Sequence, residues 1–222
     1  MPAAKQNTNA YCFIDASNLF YGGFKAMGWK VDYKKLKDYL ATKYGVKKLF
    51  YYGGIETYGF EFDTASIGDC PINDIVNYLE DWLEKGRDTL SEAEIILLGR
   101  HIARAKFYRM LASFGYILKL KPVKYIRDEE GRMTKKANCD VDLTFDAMRL
   151  ANEYGKFVLL SGDGDFEILL KYFDESGKEV VILSNPDHTA KNLKKRFQKQ
   201  YKNFEEIRPS IEYIEVDVTK SE

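Results

Sequence analysis

Apolar residues follow two patterns along this chain, one typical of strands and one typical of helices. Short apolar runs rich in β-branched and aromatic side chains predict buried strands, at residues 11–15, 48–52, 116–120, 157–160, 179–183 and 211–216. Apolar residues that recur every three or four positions predict helices, over residues 33–44, 72–85, 100–114, 140–154, 165–175 and 189–204. This order predicts an α/β fold of three layers, α/β/α, with a mainly parallel central sheet. We expect Gly53 and Gly54 to end the second strand.

Two segments interrupt the alternation of strands and helices. Residues 59–95 contain ten Asp or Glu and only two Lys or Arg, and we interpret them as an acidic helical insertion after the second strand. We expect this insertion to be a lid or gate, or a surface for a protein partner or for self-association. Residues 121–138 have the pattern of an exposed β-hairpin, with Gly131 in its turn.

The composition is that of a folded globular protein. Of the 222 residues, 45% are hydrophobic and 14% are aromatic, so the chain can bury a sizeable core. We expect one domain over residues 10–216, insertion included, between flexible termini at residues 1–9 and 217–222. No apolar run approaches the length of a membrane span, and the first residues lack the features of a signal peptide. These features predict a cytoplasmic protein without a membrane partner.

Charge and the rarer residue types restrict the possible chemistry. The 34 Lys and Arg balance the 34 Asp and Glu, so a nucleic acid would have to bind to a local basic patch. The three cysteines have no CxxC spacing and argue against a disulfide scaffold or a cysteine-rich zinc site. Only two histidines are present, which excludes catalysis by several histidines. Any catalysis is therefore expected to depend on carboxylates.

Aspartates follow two of the predicted strands and begin one of the predicted helices. Asp15 ends the first strand, and Asp140 begins the fourth helix. Asp163 and Asp165 follow the strand over residues 157–160. In an open parallel sheet, ligands bind outside the carboxyl ends of the strands. Carboxylates gathered there repel one another unless a hard cation lies among them, and Mg²⁺ or Mn²⁺ prefers oxygen ligands. The pattern therefore indicates phosphoryl chemistry that depends on Mg²⁺ or Mn²⁺.

Each of these aspartates also has a purely structural interpretation. Ser17 or Asn18 could cap a helix after the first strand, and Asp165 could be the N-cap residue of a glycine turn. Asp140 and Asp142 could interact favourably with a helix dipole, and we prefer this interpretation for Asp142. The metal hypothesis therefore depends on the conjunction of the three segments and not on any one of them.

Three segments resemble the motifs of a known family, in the same order. They are FIDASNL at residues 13–19, KANCDVDLTFD at residues 136–146 and LSGDGDF at residues 160–166. Together they are similar to the motifs of NYN-domain proteins, which are PIN-like nucleases, and most similar to the LabA-like branch. The resemblance covers most of residues 10–208 apart from the insertion. It implies a PIN-like fold and metal-dependent cleavage of RNA, as expected of an endoribonuclease.

The resemblance also implies roles for individual residues. It implies catalytic metal ligands at four aspartates, namely Asp15, Asp140, Asp163 and Asp165. It implies supporting roles for Asn18, Asp146 and Ser161. The implied cofactor is Mg²⁺ or Mn²⁺, and the implied reaction is in-line hydrolysis of an RNA phosphodiester bond that leaves 5′-phosphate and 3′-hydroxyl ends.

Two basic segments are candidate RNA-binding surfaces. The predicted hairpin carries Lys124, Arg127, Lys135 and Lys136, and the helix predicted over residues 189–204 carries Lys194 and Lys195. Clustered cations of this kind can follow the phosphates of single-stranded or structured RNA. For the helix we slightly favour an ordinary solvated surface, because amphipathic helices commonly carry lysines. We prefer the hairpin because it directly precedes the second motif.

Two other functions remain open at this point. The GDGD sequence at residues 162–165 resembles the late acidic motif of haloacid-dehalogenase phosphatases. That family needs an aspartate two residues after its nucleophile, and Ser17 occupies that position after Asp15. The other alternative is a non-cleaving RNA-binding or regulatory module with the same fold. Because every aspartate of the motifs is present, we favour the nuclease.

Overall fold

A computed structural model describes residues 8–18, 28–64, 70–127 and 133–215. Within these ranges the strands are β1 (Ala10–Asp15), β2 (Val46–Ile55), β3 (Ile117–Pro122), β4 (Lys124–Arg127), β5 (Met133–Lys136), β6 (Lys156–Leu160), β7 (Glu179–Ser184) and β8 (Tyr201–Asn203). The α-helices are α1 (Tyr33–Tyr44), α2 (Ile72–Gly86), α3 (Glu92–Ser113), α4 (Asp140–Arg149), α5 (Glu167–Glu175), α6 (Lys191–Arg196) and α7 (Arg208–Ile211). Short 3₁₀ turns lie at Ala151–Glu153, Gly164–Phe166, Pro186–His188 and Phe204–Ile207.

Six of these strands form one sheet, in the order β3-β2-β1-β6-β7-β8. The pairs β2–β3, β6–β7 and β7–β8 are parallel. The predicted α/β fold with a mainly parallel central sheet flanked by helices is therefore confirmed. The strand order reverses at β1 and β6, and in such sheets ligands bind outside the carboxyl ends of the strands at the point of reversal.

The described residues divide into two compact units. The first unit takes the described parts of residues 1–12, 17–47 and 153–222. Aromatic side chains fill its core, where the ring centroids of Phe157 and Phe173 lie 4.8 Å apart. Close packing of this kind joins β6 to α5 and buries apolar surface.

The second unit takes residues 13–16 and the described part of residues 48–152. Its core is also aromatic, since Phe13 stacks on Phe50 with ring centroids 5.0 Å apart. Tyr51 and Tyr108 meet edge to face at 5.9 Å. These interactions pack β1 against β2, and β2 against α3.

The acidic insertion contains more helix than predicted. α2 agrees with the predicted helix over residues 72–85, but α3 begins at Glu92 and not near residue 100. The backbone N–H of Glu94 donates to Ser91 Oγ at 3.4 Å, and the N–H of Ser91 donates to Glu94 Oε2 at 2.8 Å. This capping box determines where α3 starts. The serine three residues before a glutamate was the sequence signal for it.

The prediction that Gly53 and Gly54 end the second strand is wrong, because β2 continues to Ile55. A Cβ atom at Gly54 would lie 2.6 Å from the Cβ of Ala137. Glycine at this position therefore permits a close approach of the chain that leads into α4, and does not mark a turn.

The helix predicted over residues 189–204 is wrong. α6 ends at Arg196, where the backbone of Phe197 leaves the helical conformation (φ −111°, ψ 38°). Tyr201–Asn203 then pairs in parallel with β7 as strand β8. Leu193, Phe197 and Phe204 are buried, as expected from their spacing, but they belong to separate elements. A helix followed by a turn and a strand produced the same apolar spacing as one longer helix.

The late strand predicted over residues 211–216 is also wrong. Arg208–Ile211 forms the helical turn α7, and Glu212 makes an isolated antiparallel bridge to Val31. The helix predicted over residues 140–154 ends earlier, at Arg149, and a 3₁₀ turn follows it.

The structure describes the hairpin in part and the termini hardly at all. The antiparallel pairing of β4 with β5 confirms the predicted hairpin. Gly131 and nearly all of the termini predicted to be flexible lie outside the described residues. The single domain over residues 10–216 stays a prediction. In the described part of the chain, every helix is too short or too polar to cross a membrane.

Candidate metal centre

The loop after β6 is held by its own side chains. Ser161 is fully buried, and its Oγ accepts a hydrogen bond of 3.2 Å from the N–H of Asp163. Asp163 Oδ1 accepts a hydrogen bond of 2.9 Å from the N–H of Asp165. Asp163, and not Asp165, is therefore the N-cap residue of the 3₁₀ turn Gly164–Phe166. These bonds fix where the loop presents its carboxylates.

Gly162 allows the same loop to pass close to the segment after β7. A Cβ atom at this position would lie 2.8 Å from both the carbonyl oxygen of His188 and the Cα of Thr189. The carbonyl oxygen of Gly162 accepts a hydrogen bond of 2.9 Å from the N–H of Ala190. Its own N–H donates to Asn18 Oδ1 at 2.9 Å. Residues 16–18 are helical, so Asn18 lies within a helical turn and supports the loop after β6.

Asp140 lies in the first turn of α4. The side chain of Asn138 stabilises the start of α4, because its Oδ1 accepts a hydrogen bond of 2.8 Å from the N–H of Asp140. Such a bond from an asparagine to the backbone two residues later is a common local turn. We did not predict this role for Asn138, although the spacing of the two residues was a signal for it.

Three of the four aspartates predicted as metal ligands form an acidic cluster. Asp140, Asp163 and Asp165 each offer a carboxylate oxygen, and these oxygens lie within 4.8 Å of one another. Asp140 and Asp163 are half-buried, and Asp165 is exposed. The fourth aspartate, Asp15, ends β1 and is 7% exposed. In the described residues, the group within 4.8 Å does not include Asp15.

Asp146 belongs to a buried network of its own. Its Oδ2 accepts a hydrogen bond of 3.0 Å from Tyr52 Oη, and its Oδ1 lies 2.6 Å from Arg149 Nη2. Burial raises the pKa of the Tyr52 hydroxyl, and the charge of Asp146 raises it further. Asp146 therefore anchors α4 to β2, which is consistent with a supporting role.

Two residues beside Asp140 in the sequence, Cys139 and Asp142, have structural surroundings of their own. Lys121 Nζ forms an ion pair with Asp142 and donates to the carbonyl oxygen of Asn138 at 3.3 Å. Burial raises the pKa of the Cys139 thiol to about 12, and the charge of Asp142 adds to the shift. Cys139 therefore remains a neutral thiol at physiological pH. Asp142, for which the sequence favours a structural interpretation, neutralises Lys121.

A cavity of about 220 Å³ lies beside α4 in the second unit. Phe145 and Val141 line it together with Lys119 and Lys121. Phe145 is 61% exposed, and the guanidinium of Arg149 lies over its ring, 5.5 Å from the centroid. The helix that bears Asp140 thus also presents apolar and aromatic surface.

The residues predicted to bind RNA have different surroundings. Lys124 and Arg127 are exposed on β4, facing Lys136 and Met133 in the register of the hairpin. Lys135 and Lys136 lie on β5, and their side chains fall outside the described part of the structure. On α6, Lys195 is exposed, whereas Lys194 is half-buried and donates to the carbonyl oxygen of Pro186. Because Lys194 already donates to a carbonyl oxygen, Lys195 is the better candidate of this pair.

Comparisons with known proteins extend over almost the whole chain. It is 25% identical over 205 residues to the low amplitude and bright protein LabA of Synechococcus elongatus, an alignment that covers 91% of this chain and 87% of that protein. The fold is similar to that of a protein of unknown function from Vibrio parahaemolyticus, with a TM-score of 0.54 and 22% identity over 86% of this chain and 90% of the other. A T5 5′-exonuclease with bound zinc is less similar, with a TM-score of 0.44 and 15% identity over 85% of this chain and 61% of the other.

The family follows from a match to the motif-bearing part of the chain. Residues 9–204 match the NYN domain, a range that contains all three sequence motifs and the acidic cluster. The haloacid-dehalogenase alternative corresponds to a different family. The chain therefore belongs to the NYN-domain family.

Proposed function

We propose that this protein is a metal-dependent ribonuclease that hydrolyses phosphodiester bonds within RNA strands. The observation that carries the proposal is the acidic cluster of Asp140, Asp163 and Asp165. Three carboxylates held so close together repel one another unless a cation neutralises them. The membership of the chain in the NYN-domain family supports the same conclusion, because the resemblance to that family implies a PIN-like nuclease.

The donor atoms of this cluster fit a hard divalent cation. All three side chains offer carboxylate oxygens, which are ligands that Mg²⁺ and Mn²⁺ prefer. The nearby thiol of Cys139 is kept neutral by burial, which raises its pKa, and so is a poor ligand. We propose that Asp15, at the carboxyl end of β1, contributes a fourth carboxylate, and that Asn18 and Ser161 keep the loop after β6 in place.

When bound, a divalent ion of this kind lowers the pKa of a coordinated water and neutralises charge that develops on the phosphate. The chain's own contribution is to fix the carboxylates before substrate arrives. Asp163 is held through its hydrogen bond from the N–H of Asp165, and Asp140 through the turn formed by Asn138. Asp146 keeps α4 attached to β2 through Tyr52.

The RNA itself would be guided by cations and by an aromatic ring. Lys124, Arg127, Lys135 and Lys136 lie on the hairpin, whose exposed surface can follow phosphates. Phe145 offers a largely exposed ring beside the cavity on α4, and unpaired RNA bases commonly stack on such rings. We therefore propose single-stranded RNA, or the unpaired parts of structured RNA, as the substrate.

The experiment that tests this function is a cleavage assay on three labelled substrates. Single-stranded RNA, structured RNA and single-stranded DNA are incubated with the protein in Mg²⁺, in Mn²⁺ and in EDTA. We expect cleavage of RNA only when a divalent ion is present, with 5′-phosphate and 3′-hydroxyl ends. RNA that binds but stays intact under every condition would contradict the nuclease and support the non-cleaving module.

The matched variants are Asp163→Asn and Asp174→Asn. Asparagine is as good an N-cap residue as aspartate, so Asp163→Asn removes the charge and keeps the turn at Gly164–Phe166. We expect this variant to lose cleavage while its melting temperature stays equal or rises, because a repulsive carboxylate is removed. Asp174 lies exposed on α5, and Asp174→Asn should cleave like the wild type.

A further inference from the structure

A second concave site is lined partly by the acidic insertion, and none of its residues is a candidate metal ligand. It is a pocket of about 390 Å³ between the end of β2, the helices α2 and α3 and the strand β4. Three aromatic rings line it, those of Tyr58, Trp82 and Tyr125. Glu56, Glu94 and Leu97 also line the pocket. A volume of this size suits a small ligand or a single side chain.

Tyr58 is fixed from several directions. Its hydroxyl makes a hydrogen bond of 2.7 Å with His101 Nδ1, and its carbonyl oxygen accepts one of 3.0 Å from Tyr78 Oη. Its ring centroid lies 5.0 Å from that of Trp82. Its φ of +49° lies in the left-handed region, which bulky residues rarely adopt. The surroundings therefore hold this ring in a fixed position at the pocket.

The other two rings offer accessible surface to a ligand. Trp82 is 38% exposed and Tyr125 is 47% exposed. Large aromatic side chains with this much exposure are available to a ligand from solvent. Because the face of an aromatic ring carries partial negative charge, these rings attract cations.

The carboxylates make the pocket more strongly negative. Glu94 accepts hydrogen bonds from both the N–H and the Oγ of Ser91, which lower its pKa and keep it ionised. Glu56 is 8% exposed, and its Oε1 lies 3.7 Å from His101 Nε2. The surrounding insertion, residues 59–95, carries ten acidic and only two basic residues. A phosphate group would therefore be repelled here, whereas a cation would be attracted.

We propose that this pocket binds the alkylammonium group of a small organic cation. The rings of Tyr58, Trp82 and Tyr125 would contact the charged group by their faces, as aromatic cages do for ammonium ligands. Glu56 and Glu94 supply the opposing charge, and Leu97 contacts the alkyl part. The insertion is then a ligand-binding element, and this proposal does not depend on whether the protein cleaves RNA.

Calorimetric titration of the full chain tests the charge requirement. The probes are choline, its neutral isostere 3,3-dimethylbutan-1-ol, and cadaverine. We expect both cations to bind and the alcohol to bind at least about tenfold more weakly than choline, because only the cations are attracted electrostatically by the ring faces and carboxylates. Equal binding of choline and the alcohol, or no binding of either cation, would overturn the proposal.

A further probe, Nα-acetyl-lysine methylamide, keeps the side-chain ammonium free and identifies the source of the alkylammonium group. Affinity equal to that of cadaverine supports a lysine side chain of a polypeptide as the ligand. Much weaker affinity supports a free small cation. Either result retains the alkylammonium chemistry of the pocket.

Three variants locate the binding. Glu94→Gln removes one charge from the pocket but keeps the capping box, which accepts Gln at this position. Glu92→Gln is the control, because it removes a charge from the same helical turn outside the pocket lining. We expect Glu94→Gln and Trp82→Leu each to weaken choline binding about tenfold, and Glu92→Gln to change it by no more than about twofold. Wild-type affinity in a folded Trp82→Leu variant would overturn the assignment.

Discussion

The N–H of Gly162 donates a hydrogen bond of 2.9 Å to the side-chain oxygen of Asn18, 144 positions earlier in the chain. Through this bond the segment after β1 holds the loop after β6, which carries Asp163 and Asp165. Gly162 is buried, so its N–H depends on protein partners. The first and third sequence motifs are thus joined by a direct hydrogen bond.

Removal of this hydrogen bond should disturb the loop more than the fold. Replacing Asn18 with alanine leaves the N–H of Gly162 without its acceptor, which we expect to cost about 1–3 kcal/mol of unfolding free energy. Because Asp163 and Asp165 lie within three residues, RNA cleavage in Mn²⁺ should fall at least about tenfold. Urea denaturation and single-turnover cleavage measure the two effects. Wild-type cleavage by Asn18→Ala would show that the loop keeps its position without Asn18.

Gly162 itself should not tolerate a side chain. In Gly162→Ala the new Cβ would meet the backbone of His188 and Thr189 at 2.8 Å, and relief of this overlap requires backbone movement. We expect a loss of about 1–3 kcal/mol of unfolding free energy. Gly99→Ala is the matched control, because nothing lies within 4 Å of its Cβ position in α3, and it should stabilise by about 0.5–1 kcal/mol. Equal melting temperatures for the two variants would contradict this explanation.

Tyr52 should make the stability of the protein depend on alkaline pH. Its pKa is raised in the folded state, chiefly by burial and then by Asp146, so folding favours the protonated hydroxyl. The stabilisation is complete below the ordinary tyrosine pKa of about 10 and is lost as the pH rises above it. We expect Tyr52→Phe to reduce the alkaline slope of the unfolding free energy by about 1.4 kcal/mol per pH unit. Denaturation of both proteins at several pH values measures this slope, and parallel curves would contradict the assignment.

The hairpin should supply the electrostatic part of RNA binding. Replacing Lys124, Arg127, Lys135 and Lys136 with alanine should weaken the binding of single-stranded RNA. The slope of the logarithm of the binding constant against the logarithm of the salt concentration should become shallower by about 0.7 for each phosphate that is no longer neutralised. The control replaces four exposed lysines outside the hairpin, namely Lys34, Lys43, Lys47 and Lys171. Filter binding at several salt concentrations measures both slopes. An unchanged slope in the hairpin variant would place the RNA elsewhere.

The sequence was sufficient for the features that depend on local pattern. Asp163 and Asp165 follow a strand whose apolar run is unmistakable, and α1 was predicted with its observed bounds at residues 33–44. The order of the strands and helices was also enough to predict a parallel sheet.

Features that depend on distant parts of the chain were not predictable from local pattern. The hydrogen-bond partner of Asn18 lies in another motif. The glycine at position 54 of β2 is needed because Ala137, far away in the sequence, packs closely against it. The helix predicted over residues 189–204 failed because the spacing of its apolar residues did not reveal the pairing of β8 with β7. In each case the decisive interaction joins residues far apart in the sequence or adds a strand to the edge of a sheet.

The most direct test of the central claim is the rate of single-turnover RNA cleavage as the Mn²⁺ concentration is raised, for the wild type and for Asp140→Asn. Asp140 lies in the acidic cluster with Asp163 and Asp165, but it belongs to a different motif. We expect the wild-type rate to rise from background and saturate, and the Asp140→Asn rate to stay at background while the variant remains folded. Cleavage by Asp140→Asn at the wild-type rate and with the same Mn²⁺ dependence would contradict the proposal that these carboxylates hold the catalytic ion.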